Sequence, residues 1–82
     1  MPDVAQTVRS YIVEEFLPGE NPDELKNDTP LISGGILDSV GTLKLVSFLE
    51  EKFQITVEPN EIDVANLDTI AAISKLVQSK AS

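Results

Sequence analysis

Apolar residues recur at helical spacing in three stretches of this chain, and one long stretch between them breaks the pattern. Over residues 3–17, DVAQTVRSYIVEEFL, Val4, Val8, Ile12 and Phe16 return every fourth position, with Ala5 and Tyr11 beside them. That period predicts a helix with one apolar face. Asp3 is placed to cap its start and Pro18-Gly19 to end it, because proline cannot continue a helix and glycine permits the turn. Over residues 39–53, Leu43, Leu45, Val46, Leu49 and Phe53 fill one broad arc of a helical wheel, with Lys44, Ser47 and Glu51 opposite. Phe48 falls off that stripe, which puts it at an edge of the core or against a partner. Over residues 69–79, Ile70, Ile73, Leu76 and Val77 mark a third buried face, with Asp68 as the expected cap. Lys75 and Lys80 lie toward the C-terminal end of that helix, where the dipole favours cations.

The intervening segments read differently. Residues 18–38 hold Pro18, Gly19, Pro22, Pro30, Gly34 and Gly35 and predict a long connection. Residues 21–25 suit a single helical turn, and Leu25, Leu31, Ile32, Ile36 and Leu37 are expected to pin the segment to the core. A connection of this length is often functional. Gln54-Ile55-Thr56-Val57 alternates like a strand but is too short and isolated to build a sheet. It is expected to be extended, with Ile55 and Val57 inward. Pro59–Val64 is expected to form a short third helix, its proline in the first turn. The sum is a single all-α domain over residues 1–82: a small four-helix bundle of three main helices and one short helix, with a long loop between helices 1 and 2.

With three phenylalanines, one tyrosine and no tryptophan, the interior is expected to be aliphatic, built from Val8, Ile12, Leu43, Val46, Leu49, Ile62, Ile70 and Ile73. Such a core leaves local openings cheap under long loops. The loop from Pro18 to Asp38 and the short third helix are therefore the expected mobile parts. The expected opening lies between the second and third helices, near Val46 and Ile62, where a slender apolar chain would gain by entering.

Composition narrows the chemistry. Eighty-two residues make one small domain with a modest core. There is no cysteine and no histidine, so disulfides and thiolate metal sites are excluded, and the commonest general base is missing. Fourteen acidic residues against six basic ones give a net charge of −8. That surface repels nucleic acid and anionic membranes, and no window has the apolar run of a leader or a membrane span. A cytoplasmic monomer that binds neither nucleic acid nor membrane is expected. The charge suits docking against basic patches on proteins and serves solubility equally well.

One serine stands apart. In GGILDSVG, from Gly34 to Gly41, Ser39 sits where the loop gives way to the second helix. As a catalytic nucleophile it has no histidine base, and the five lysines show no motif spacing. The segment is not G-x-S-x-G, and a bundle this small has little room for an enclosed pocket. An autonomous enzyme is not expected. As a cap, either Asp38 or Ser39 would contribute roughly 1 kcal/mol. The context offers more. Gly34-Gly35 gives a flexible approach, and the unsatisfied amides and positive dipole end of a helix start favour an anionic group. A phosphodiester on Ser39 would sit in a compatible field, and a second enzyme would supply the activation.

The stretch DTPLISGGILDSVGTLKLVSFLEEKFQI resembles the acyl carrier and peptidyl (aminoacyl) carrier proteins. The matching residues are Leu37-Asp38-Ser39-Val40, Leu43, Leu45-Val46 and Leu49-Glu50-Glu51-Lys52-Phe53. The order of helices agrees with that family over the whole chain. The resemblance implies that Ser39 is the attachment site for 4′-phosphopantetheine. A phosphopantetheinyl transferase would move that group from coenzyme A, with magnesium, onto the Ser39 hydroxyl. The terminal thiol then carries an acyl or aminoacyl unit as a thioester, which is how a cysteine-free chain does thiol chemistry. Further implied partners are a loading ligase and downstream biosynthetic enzymes. Asp38 matches the family's acidic residue before the serine, for capping and for the transferase complex. Val40 and Leu43 match positions that partner enzymes touch. Glu50 and Glu51 match acidic positions further along the recognition helix, and a solvated helix face explains them equally well.

Two positions depart from the resemblance. Carriers serving fatty-acid synthesis usually have acidic residues two and five places after the serine; here those places hold Gly41 and Lys44. Together with the approach GGILDS, this points to a specialised pathway, with acyl and aminoacyl cargo both open. The rival reading is a small acidic interaction module that is never modified.

Overall fold

The computed structural model describes residues 3–21 and 24–81. Among the described residues four α-helices follow one another: α1 Val4–Phe16, α2 Ser39–Phe53, α3 Val64–Leu67 and α4 Ile70–Ala81, with a 3-10 turn at Pro59–Glu61 before α3. No β-strand occurs among the described residues. The bundle and the long first loop are as the periodicity predicts. Asp3 caps α1, its Oδ1 accepting from the Gln6 amide at 3.3 Å. Helix α4 is the central element, packed against α1, α3 and α2. Val8 and Ile12 of α1, Leu45 and Leu49 of α2, Leu67 of α3, and Ile70, Ile73 and Val77 of α4 are fully buried. Burying such side chains stabilises the fold by about 1.5–3 kcal/mol each before conformational entropy is subtracted.

The long connection is stitched down rather than draped. Leu25, Leu31 and Leu37 are buried, and Ile32 and Ile36 pack against the core. The Arg9 guanidinium donates to the Leu25 carbonyl at 2.9 Å and to Asn27 Oδ1. The Asn27 carbonyl accepts from the Ala71 amide at 3.0 Å, tying the loop to the first turn of α4. Of the single turn expected at residues 21–25, Pro22 and Asp23 lie outside the described residues.

Three expectations are corrected. Leu43 is not in the core: it is 56% exposed. The buried face of α2 is Gly41, Thr42, Leu45, Val46 and Leu49. A wheel that counts only large apolar residues misses Gly41 and Thr42, so it centres the face too far toward Leu43. Thr42 tolerates burial because its hydroxyl donates to the Asp38 carbonyl at 2.7 Å. The short third helix does not span Pro59–Val64. The 3-10 turn stops at Glu61, and Asp63 then caps a separate helix, accepting from the Asn66 amide at 2.9 Å. Finally, Thr69 caps α4, its Oγ1 accepting from the Ala72 amide at 3.1 Å. Asp68 is committed elsewhere.

Val57 is buried and Ile55 partly so, as alternation predicts. Gln54 closes α2 in a left-handed conformation, φ 57°. Phe48 packs at the edge of the core, stacked on Tyr11 with ring centroids 4.0 Å apart. Burial, and to a smaller degree the charge of Glu15, raises the pKa of the Tyr11 hydroxyl.

Candidate functional site

The start of α2 divides its labour between two neighbours. Asp38 is the cap: its Oδ1 accepts from the Gly41 amide at 2.6 Å, and its carbonyl accepts from the Thr42 amide at 2.8 Å. Ser39 is thereby released. It is exposed, and its hydroxyl has no hydrogen-bond partner among the described residues. The amides of Ser39 and Val40, in the first turn of α2, find no acceptor among those residues either. A helix start with free amides carries partial positive charge.

The glycines fix this junction instead of loosening it. A β-carbon at Gly34 would overlap the carbonyl oxygen of Pro30, and Gly35 has φ 84°. Gly41 is buried against α1, where a β-carbon would lie 2.9 Å from Phe16 Cε1 and 3.1 Å from Asp38 Oδ1. The loop therefore enters α2 by one tightly packed path.

Beside Ser39 opens a cleft of about 540 Å³. Ile32 and Leu37 form its loop wall, Ser39, Thr42 and Leu43 its α2 side, and Ile62, Asp63 and Val64 its far wall. The predicted pair divides: Ile62 lines this cleft, whereas Val46 is buried in the core and does not line it. Ile32, Leu37 and Val64 were not legible as lining residues, because they come from loop and junction segments with no regular period. Around the cleft, Val40, Leu43 and Val64 are 62%, 56% and 50% exposed. Large apolar side chains left in water beside one serine suit contact with another molecule.

The acidic residues further along α2 differ from each other. Glu50 serves the fold, because its Oε2 accepts from the Val57 amide at 2.9 Å and holds the extended segment against the helix. Glu51 is exposed. Lys44 is also exposed, and its carbonyl accepts from the Tyr11 hydroxyl at 3.3 Å. Across the molecule, Lys80 Nζ lies 2.7 Å from Glu61 Oε1. That bond, helped by the Glu58 amide, holds the Glu61 carboxyl below its usual pKa. Among the described residues no cluster of side chains is placed to hold a metal ion, and no helix is long and apolar enough to cross a membrane.

The sequence that builds this exposed serine beside an apolar cleft has known relatives. Residues 7–77 match the family model described as "Phosphopantetheine attachment site". The chain belongs to the phosphopantetheine-bearing carrier proteins. It is 36% identical over 69 residues to a probable acyl carrier protein, PigG, of Serratia sp. (strain ATCC 39006), covering 84% of this chain and 78% of that one. It is 41% identical over 59 residues to the D-alanyl carrier proteins of two Streptococcus suis strains, 72% of this chain and 71% of theirs. The cofactor of a carrier protein is covalent 4′-phosphopantetheine, and carriers of this family are not themselves catalysts. Family membership implies a phosphopantetheinyl transferase and loading or biosynthetic enzymes as partners.

The residues present fit the group. The exposed, unpartnered Ser39 hydroxyl would serve as the attachment atom, free amides suit a phosphate, and the adjoining apolar cleft suits a slender chain.

Proposed function

We propose that this carrier holds 4′-phosphopantetheine on Ser39 and presents acyl or aminoacyl intermediates to the enzymes of a specialised biosynthetic pathway in the cytoplasm, working as a monomer. The observation that carries the reading is the division between Asp38 and Ser39. The carboxylate caps the helix through the Gly41 amide, so the neighbouring hydroxyl is free to be modified without loss of the cap. When bound, the group supplies a terminal thiol on which the cargo rides as a thioester. The chain's part is positional. The first turn of α2 offers positive potential to the phosphate, Val40, Leu43 and Val64 offer apolar contact to partner enzymes, and Asp38 and Glu51 add charge to that surface. Both acyl and aminoacyl relatives are among the matches, and the absence of acid at Gly41 and Lys44 favours partners other than those of housekeeping fatty-acid synthesis.

Incubation with coenzyme A, magnesium and a broad-specificity transferase tests this directly. Intact mass is expected to show a single addition, and peptide mapping to place it on Ser39. An unmodified chain would favour the interaction-module reading.

Lys44 supplies a second test. A partner with a basic docking patch meets a like charge there, which chiefly lowers its association rate. Lys44→Glu is expected to raise processing by a housekeeping fatty-acid enzyme about two- to fivefold at low salt, and less at high salt. Equal rates for the two proteins across a salt series would remove Lys44 from the account of partner choice.

A further inference from the structure

The cleft beside Ser39 is walled by segments far apart in the chain, and one residue outside it is bonded to both. Asp68 stands at the junction of α3 and α4. Its amide donates to the Val64 carbonyl at 3.0 Å, closing α3 behind the residue that lines the far wall. Its carbonyl accepts from the Leu31 amide at 2.6 Å. Its Oδ1 accepts from the amides of Ile32 and Ser33, each at 2.8 Å, and its Oδ2 from the Ser33 hydroxyl at 2.8 Å. Ile32 lines the loop wall. The tie runs on toward the modification site, because the Leu31 carbonyl accepts from the Ile36 and Leu37 amides, both at 2.9 Å. Leu37 lines the cleft and directly precedes Asp38.

We propose that Asp68 is a positioning residue for cargo: it joins the loop wall to the α3 wall and so sets the opening into which an apolar chain carried at Ser39 folds back. The proposal rests on Ser39 bearing the arm. Two amides converging on one carboxylate oxygen, with a hydroxyl on the other, make charge-assisted bonds, stronger than neutral ones. They hold the Asp68 carboxyl below its usual pKa, the Ser33 amide contributing most, so the ties are intact at neutral pH. Asparagine preserves the geometry: its Oδ1 accepts from both amides and its Nδ2 donates to the Ser33 hydroxyl. Alanine preserves only the main-chain bonds.

The full-length chain is compared with Asp68→Asn and Asp68→Ala in two experiments. On the unmodified proteins, amide hydrogen exchange is followed at residues 31–37 and 62–67, with Val8 and Ile12 of α1 as reference. Asp68→Ala is expected to accelerate exchange about tenfold in both walls, leave the reference amides unchanged, and be largely restored in Asp68→Asn. Acceleration confined to residues 31–33, or an equal rise at Val8 and Ile12, would overturn the joining role. On proteins loaded at Ser39 with octanoyl or acetyl units, thioester cleavage by hydroxylamine is timed. Asp68→Ala is expected to lose the octanoyl unit several-fold faster than the parent and Asp68→Asn, while the acetyl unit, too short to reach the walls, leaves all three at one rate. Equal octanoyl rates would overturn the proposal. A chain that takes no arm at Ser39 fails the carrier reading by mass alone, and the exchange experiment still decides whether Asp68 joins the walls.

Discussion

Replacing Ser39 by alanine is expected to give a folded protein that cannot be charged. The hydroxyl makes no hydrogen bond among the described residues and is exposed, so its removal leaves no buried group unsatisfied. Alanine is also a good residue for a first helical turn. Asp38, not Ser39, carries the cap, and the loss of stability should stay below about 0.5 kcal/mol, the usual range for a surface change away from special features. Phosphopantetheine transfer, by contrast, should fall to zero, because among the described residues no other serine sits at a helix start beside the cleft. Urea denaturation and intact mass on the same sample read both halves. A variant that still gained the group would move the attachment site elsewhere. One that lost several kcal/mol would mean that the hydroxyl has a structural role.

Gly34→Ala is expected to do the reverse and damage the fold while leaving the chemistry of Ser39 untouched. A β-carbon there would overlap the Pro30 carbonyl oxygen and lie 3.2 Å from its carbon. The obstacle is backbone, so no side-chain rotation relieves it. Leu31 and Leu37, on either side, are buried, and their backbones are tied to Asp68 and to each other. Overpacking of this kind costs about 1–3 kcal/mol. Set against a total of roughly 4–12 kcal/mol for a domain of this length, that is a large share. The urea midpoint should fall by roughly 1 M or more, at a slope near 1 kcal/mol per molar. An unchanged midpoint would show that the loop can move away from Pro30 without disturbing its leucine anchors.

The parts of this structure legible in the sequence are those with a strong local signal. The every-fourth-residue pattern of Val4, Val8 and Ile12 is enough to place α1, and Asp3 and Asp38 both cap the helices they precede. What was not legible depends on partners distant in the chain. Leu43 has the composition of a core residue and faces water, because Gly41 and Thr42 occupy the buried positions that a hydrophobicity count assigns to larger side chains. Asp68 looks like a cap for the helix that follows, yet its carboxylate turns to amides 35 and 36 positions earlier, and the adjacent Thr69 takes over the capping. Glu50 reads as one more surface acid and instead holds Val57. The cleft itself has no period, since its walls meet only after the helices have packed.

The contact between Gly41 and Phe16 limits how this carrier's allegiance can be rewritten. Position 41 is one of the two places where carriers of fatty-acid synthesis display acid, so it is an obvious target for anyone grafting the chain into a foreign assembly line. Here the ring of Phe16 stands over it, 2.9 Å from where a β-carbon would begin, and leans edge-on against Tyr11, ring centroids 6.1 Å apart. An aspartate at 41 therefore requires the Phe16 ring to move aside, or a smaller residue at 16 exchanged with it as a pair drawn from two helices. Lys44, exposed one turn further on, can be exchanged alone. Under the docking role proposed for α2, interchangeability between pathways would depend on that helix and on the end of α1 that shelters it.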